Sequence, residues 1–230
     1  MSMKRLSRRG PATALLLGSL AWISACAAEP ATVIPAPAMD NPKQPGALQT
    51  AVLAGGCFWG MQGVFEHVRG VHDVLAGYSG GTRTTANYQD VGSGETGHAE
   101  SVQVVFDPAE VSYGKLLQIY FSVGHNPTEL NRQGPDSGTQ YRSSIFYGDD
   151  GQKHIAESYI AQLDKDKAFP RPIVTRLDPL HGFYKAELYH QDYYLKNPDA
   201  PYIVINDLPK IAHLKALFPD YYQDTPVRAR

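Results

Sequence analysis

The chain has 230 residues, 43% of them apolar and 10% aromatic, enough for one packed domain of ordinary size with a tail. A formal net charge of -2 and a pI near 6.4 leave no basic stripe for nucleic acid and disfavour an anionic membrane as partner of the folded part. The only two cysteines, Cys26 and Cys57, are too few for a disulfide scaffold.

Residues 1–28 read as an export leader: Lys4, Arg5, Arg8 and Arg9 form a basic start, and residues 12–23 an apolar run too short to span a bilayer comfortably. Ile23-Ser24-Ala25-Cys26 resembles the bacterial lipobox, in which the leader is cut before a cysteine that receives lipid. The alternative is ordinary cleavage near residues 25–28, which leaves a free exported protein. Either way a periplasmic location is expected, with a lipid on Cys26 as the only tie to a membrane. Residues 29–49 carry Pro30, Pro35, Pro37, Pro42 and Pro45, which oppose regular helix or sheet pairing and predict a tether.

The folded domain is expected over 50–221, with a short tail at 222–230. An apolar strand at 50–54 leads through Gly55 and Gly56 to Cys57 and a helix reaching about residue 68, with Met61, Val64, Phe65 and Val68 facing the core. A second strand follows at 71–79, then a long polar loop to Gly97 and a strand at 101–106 that starts beside Glu100. Residues 111–123 have apolar side chains at helical spacing. A second long loop runs from 124 to 141, before a strand at 143–147, a helix at 152–164 and a strand at 173–177. The order β-α-β-β-α-β-α-β predicts an α+β fold of the split βαβ, ferredoxin-like type. This would be a two-layer sandwich with a long, partly irregular C-terminal extension, in which 202–205 and 211–218 dock. A single copy is the expected working unit.

Cys57 stands at a Gly-rich strand-to-helix turn, where the helix's free N–H groups favour a thiolate and the glycines leave the sulfur open. The two long loops add a carboxyl, Glu100, and two tyrosines, Tyr88 and Tyr141. A thiol with an acid and hydroxyl donors suits reduction of a sulfoxide, whose sulfur accepts a thiolate once its oxygen is protonated or hydrogen-bonded. Glu100 holds its proton near neutrality if a dry pocket walled by Phe58 and Trp59 penalises the carboxylate. Each residue also has an ordinary reading: a packing cysteine, a surface glutamate, two tyrosines among fourteen, and for Asp136 a local turn hydrogen bond. His98, His125 and His190 match no common metal-ligand spacing, so no metal is expected.

Gly56-Cys57-Phe58-Trp59-Gly60, Gly97-His98-Ala99-Glu100, Asn131-Arg132-Gln133-Gly134 and Gly138-Thr139-Gln140-Tyr141-Arg142 occur in that order, and together they resemble the A-type peptide methionine sulfoxide reductases over roughly 51–218. The resemblance implies Cys57 as nucleophile and Glu100 as acid, assisted by Tyr88 and Tyr141. Phe58 and Trp59 would receive the substrate's methyl group, with Asp136 and His190 nearby. It further implies thiol-dependent reduction of methionine S-sulfoxide, free or in oxidised proteins, through a Cys57 sulfenic acid, one enzyme serving each epimer. No cofactor is implied.

The chain departs from many relatives in having no cysteine after Cys57, so an external thiol must resolve the sulfenic acid: a thioredoxin-like or glutaredoxin-like domain, or a small thiol. Two other readings fit the same residues. One is a cysteine hydrolase using His98 or His190 as base; the other is a lipoprotein that binds methionine-containing peptides in an aromatic pocket.

Overall fold

The computed structural model describes residues 31–41 and 45–230; the leader, Cys26 and their expected processing lie outside the described residues. Six strands form one sheet in the order β7-β6-β1-β3-β2-β8. These are β1 Gln49–Ala54, β2 Val71–Ser79, β3 Ala99–Phe106, β6 Ser144–Tyr147, β7 Arg176–Pro179 and β8 Phe183–Lys185. A separate small hairpin is made of β4 Arg132–Gln133 and β5 Asp136–Ser137. Strand β3 pairs antiparallel with both β1 and β2, so β1 and β2 run alike with β3 inserted between them. This is the split βαβ arrangement, completed by β6 antiparallel on β1.

Side-chain alternation explains the layers. In β1, Ala51 and Leu53 join the main core while Val52 and Ala54 point the other way into a small cluster with Ala99 and Phe146. Val102, Val104 and Phe106 of β3 are fully buried, each contributing roughly 1.5–3 kcal/mol by leaving water. Over this core lie helices α1 Phe58–Glu66, α3 Tyr113–Ile119 and α4 Asp150–Lys165. Helix α1 packs on β2 and β3, α4 on β6 and β7, and α3 against α4.

Several expectations shift in detail. The helix expected over 111–123 ends as α3 at Ile119 and continues as a π turn, Tyr120–Gly124; there the carbonyl of Tyr120 accepts from His125 Nδ1 at 3.1 Å. The strand expected at 173–177 is β7, whose parallel pairing with β6 runs over Arg176–Pro179, past the prolines at 170 and 172 that lack a ladder donor. The loop of 80–97 holds a short helix α2, Tyr88–Gly92, whose first amide turn is capped by Asn87. The extension adds β8 to the free edge of β2, then α5 Tyr193–Lys196, a π turn Ile203–Asp207 and α6 Leu208–Leu217.

Residues 31–41, within the expected tether, form no helix or strand, yet they lie on the domain. Ile34 is buried, and the carbonyls of Ile34, Pro35 and Ala36 accept from Gln118, Tyr159 and Gln162 at 3.0, 2.7 and 3.0 Å. Asp40 receives the hydroxyl of Ser112 and, at 2.8 Å, the amide of Gly114 at the start of α3. The tail is docked as well: the Gln223 and Val227 amides donate to the carbonyls of His67 and Glu66, both at 2.9 Å. Prolines exclude ladder pairing in the first segment; side-chain donors on α3 and α4 replace it.

Candidate active site

Cys57 is the N-cap of α1, with an extended backbone at φ -55 and ψ 126. The turn that places it depends on two close approaches. Gly56 has φ +88, and a Cβ there would stand 2.6 Å from Cβ of Gln133; a Cβ on Gly55 would stand 2.9 Å from the His125 ring. Gln133 is fixed in turn, accepting the Asn126 amide at 2.9 Å and donating to its carbonyl at 2.7 Å. The Asn131–Gly134 motif therefore supports the cysteine turn from behind.

Glu100 lies in β3, where strand pairing sets it beside Tyr78 of β2. Its Oε2 accepts the Phe58 amide at 3.0 Å, which joins the carboxyl to the first free donor of α1, next to the thiol. Burial raises its pKa to about 8, with the Phe58 amide opposing and the charges of Asp136 and Asp207 adding to the rise. The shift biases the Glu100 carboxyl toward its protonated form, and its causes are burial and neighbouring carboxyls.

The thiol differs from expectation. Cys57 is only 8% exposed, and burial, then the charges of Glu100 and Asp207, push it well above the ordinary thiol range despite an opposing hydrogen bond from the Trp59 backbone. Desolvation beside acidic groups outweighs the helix N-terminus, so the resting residue is a thiol.

Arg142 locks the loops that carry the remaining groups. Its guanidinium donates to the carbonyls of His98 at 3.0 Å, Thr139 at 2.9 Å and Gly97 at 2.9 Å, tying the strand start of Glu100 to the turn Thr139–Tyr141. The phenols of Tyr88 and Tyr141 are both held protonated by burial first, then by the charges of Glu100, Asp136 and Cys57. An open pocket is lined by both tyrosines with Asn87, Glu187 and Tyr189. Asp136 is half-buried and accepts the hydroxyl of Tyr202; burial raises its pKa.

The aromatic side of the site is built around Trp59. Its ring stacks on Tyr193 at 3.8 Å, meets Tyr202 edge-on at 5.7 Å, and donates through Nε1 to His190 Nδ1 at 3.1 Å. His190 also contacts the rings of Phe58 at 5.0 Å and Tyr88 at 4.5 Å. Next to it, Gln191 reads both backbone groups of Ala76 at 2.9 Å, which fastens the extension to β2.

Neither histidine is set up as a general base. Burial lowers the pKa of His190, and with Nδ1 accepting from Trp59 the ring proton must sit on Nε2. His98 accepts the Gly81 amide on Nδ1 at 3.2 Å and uses Nε2 against the Thr82 carbonyl at 2.9 Å. His125 is buried with Tyr120 and Ser143, so the three histidines occupy separate settings.

All eight residues singled out in the sequence thus fall around the head of α1. Others were missed. Glu187 accepts the Tyr78 hydroxyl and the Tyr88 amide, both at 2.9 Å, and so seats α2. Tyr193 and Tyr202 complete the wall of Trp59, and Asp207 adds a buried carboxyl. The sequence signal for Tyr193 and Tyr202 is the aromatic density of 183–202; Asp207 lies outside it.

Comparison with known proteins follows the same lines. A family model described as peptide methionine sulfoxide reductase matches residues 49–221. The chain is 60% identical over 189 residues to peptide methionine sulfoxide reductase MsrA 2 of Mesorhizobium japonicum, covering 82% of this chain and 96% of the relative. It is 53% identical over 191 residues to MsrA 2 of Synechocystis, covering 82% and 89%. Among solved structures it is similar to reduced Mxr1 from Saccharomyces cerevisiae, with 33% identity, a TM-score of 0.60 and coverage of 69% of this chain and 91% of that one. Methionine sulfoxide reductase A of Corynebacterium diphtheriae is similar at 31% identity and a TM-score of 0.57, with coverage of 74% and 85%. With Cys57, the Glu100 carboxyl and the aromatic rings around Trp59 all on the matched span, this chain belongs to the peptide methionine sulfoxide reductases.

Proposed function

We propose that the chain reduces the S epimer of methionine sulfoxide, free or in oxidised proteins, with Cys57 as nucleophile and Glu100 as acid. The carrying observation is the Glu100 carboxyl bonded to the Phe58 amide beside the thiol. Phe58 and Trp59 receive the S-methyl group, Tyr88 and Tyr141 hold the sulfoxide oxygen, and Asp136 and His190 border the bound residue. As Sγ attacks the sulfoxide sulfur, Glu100 protonates the oxygen and the thiol proton replaces the one it gave. The S–O bond breaks with the oxygen leaving as water, and a water then adds to Sγ as the Sγ–S bond breaks, so that methionine leaves reduced by two electrons, Cys57 is oxidised to the sulfenic acid and the released proton returns to Glu100.

An external thiol then displaces water from Cys57, forming a mixed disulfide, and a second thiol releases the cysteine. The absence of a cysteine after Cys57 supports a thioredoxin-like, glutaredoxin-like or small-thiol reductant. The basic start and apolar run of residues 1–23 support export to the periplasm, with Cys26 as the lipid site if the lipobox is used. The test is steady-state reduction of each epimer of a methionine sulfoxide peptide with a small dithiol. Glu100→Gln is expected to slow the S epimer by about 10²–10⁴-fold and His190→Asn by less than about 10-fold. The reverse order of effects would contradict the assignment and favour a histidine base.

A further inference from the structure

Asp207 ends the π turn Ile203–Asp207, which packs on α1. Its side chain is fully buried, and neither carboxyl oxygen has a hydrogen-bond partner. Buried carboxyls are nearly always hydrogen-bonded, so leaving one bare in the middle of a fold calls for a reason. The site around it is built: Gly60, in the first turn of α1, leaves the space that the carboxyl fills, since a Cβ there would overlap Asp207 Oδ1 and stand 3.3 Å from Lys210 Nζ. The same segment contributes Tyr202, which holds Asp136.

We propose that Asp207 is a positioning residue of the reduction step: set against the first turn of α1, its carboxyl opposes ionisation of Cys57 and Glu100, so that thiol and acid both keep their protons until a sulfoxide is bound. Helix α1 offers its free N–H groups to any nearby anion and would by itself draw both groups toward ionisation. Asp207 counters that field from within the protein.

The groups facing it from every side fit this role. From α6, Lys210 lowers its pKa; from β5, the Asp136 charge raises it; burial exceeds both and brings it to about 7. Cys57, Glu100 and Tyr202 each respond to its charge in the direction that retains their protons. His125, behind Gly55 and next to the π turn on which α6 packs, is held neutral by burial. Charge on Asp207 keeps the proton on Glu100 to higher pH.

This inference rests on the reduction chemistry proposed above, and two readouts separate them. In the full chain, Asp207→Asn and Asp207→Leu both remove the charge while differing in polarity and shape. Carbamidomethylation of Cys57 by iodoacetamide across pH is expected to shift its midpoint down by about one unit in both variants. The alkaline limb of single-turnover reduction of the S epimer is expected to move down with it. A slower rate with both midpoints unmoved would mean a structural role only, and no change at all would equally overturn the proposal. If the unaltered chain forms no methionine, the reduction reading fails, and the alkylation midpoints alone decide the role of Asp207.

Discussion

Glu66, Glu100 and Asp207 are three carboxyls shut away from solvent, with pKa values raised to about 9, 8 and 7. Two of them border the thiol; Glu66 lies at the far end of α1, raised by burial first and then by Asp192. A raised pKa in the fold means that the folded chain binds more protons than the unfolded one. The stability these groups contribute is therefore complete below the ordinary carboxylate range near 4.5 and is lost as pH rises toward 9. Glu66→Gln is expected to raise stability by about 1–3 kcal/mol at pH 9 and to leave it nearly unchanged at pH 4, measured by urea unfolding at both values. An equal effect at both would show that Glu66 is not the group that titrates. From sequence, the raised acid at Glu100 was legible because it follows from a thiol, a strand start and large aromatics close together. Glu66 and Asp207 were not, since each looks like an ordinary polar break in an apolar run until the fold removes its water.

At the scale of elements, periodicity marked every long strand and helix, because alternation and helical spacing record which face meets the core. The short pieces escaped: β8 spans three residues and the β4–β5 hairpin two on each side, too few for a period to appear. Prolines correctly excluded helix and strand from 31–41 but said nothing about docking, which depends on Gln118, Tyr159 and Gln162 standing on α3 and α4. Asp40 is a polar anchor of that segment, accepting from Ser112 and Gly114 at the α3 start. Asp40→Ala is expected to cost about 1 kcal/mol, the scale of a lost helix cap, with sulfoxide reduction unchanged. Urea midpoints that match the parent would show that Asp40 does not anchor the segment.

Over the whole molecule, one sheet brings three distant stretches to the head of α1: the loop of Tyr88, the turn of Tyr141 and the C-terminal segment of His190, Tyr202 and Asp207. The motif strings were legible as a set, and the structure supplies their reasons in the Gly56–Gln133 contact and the three carbonyls held by Arg142. The convergence of the extension was not legible, because its ties run through Gln191 to the backbone of β2 and through Tyr202 to Asp136, partners far apart in the chain. Cys57 is the free cysteine of the described domain, which makes the chemistry countable. The most direct measurement is a single turnover of the domain without its leader, mixed with each epimer of a methionine sulfoxide peptide and no reductant, with peptide products and intact mass read together. One methionine peptide per chain is expected from the S epimer alone, with one oxygen atom gained at Cys57; failure to reduce either epimer while Cys57 remains reduced and reactive would rule out Cys57 as the sulfoxide-reducing nucleophile.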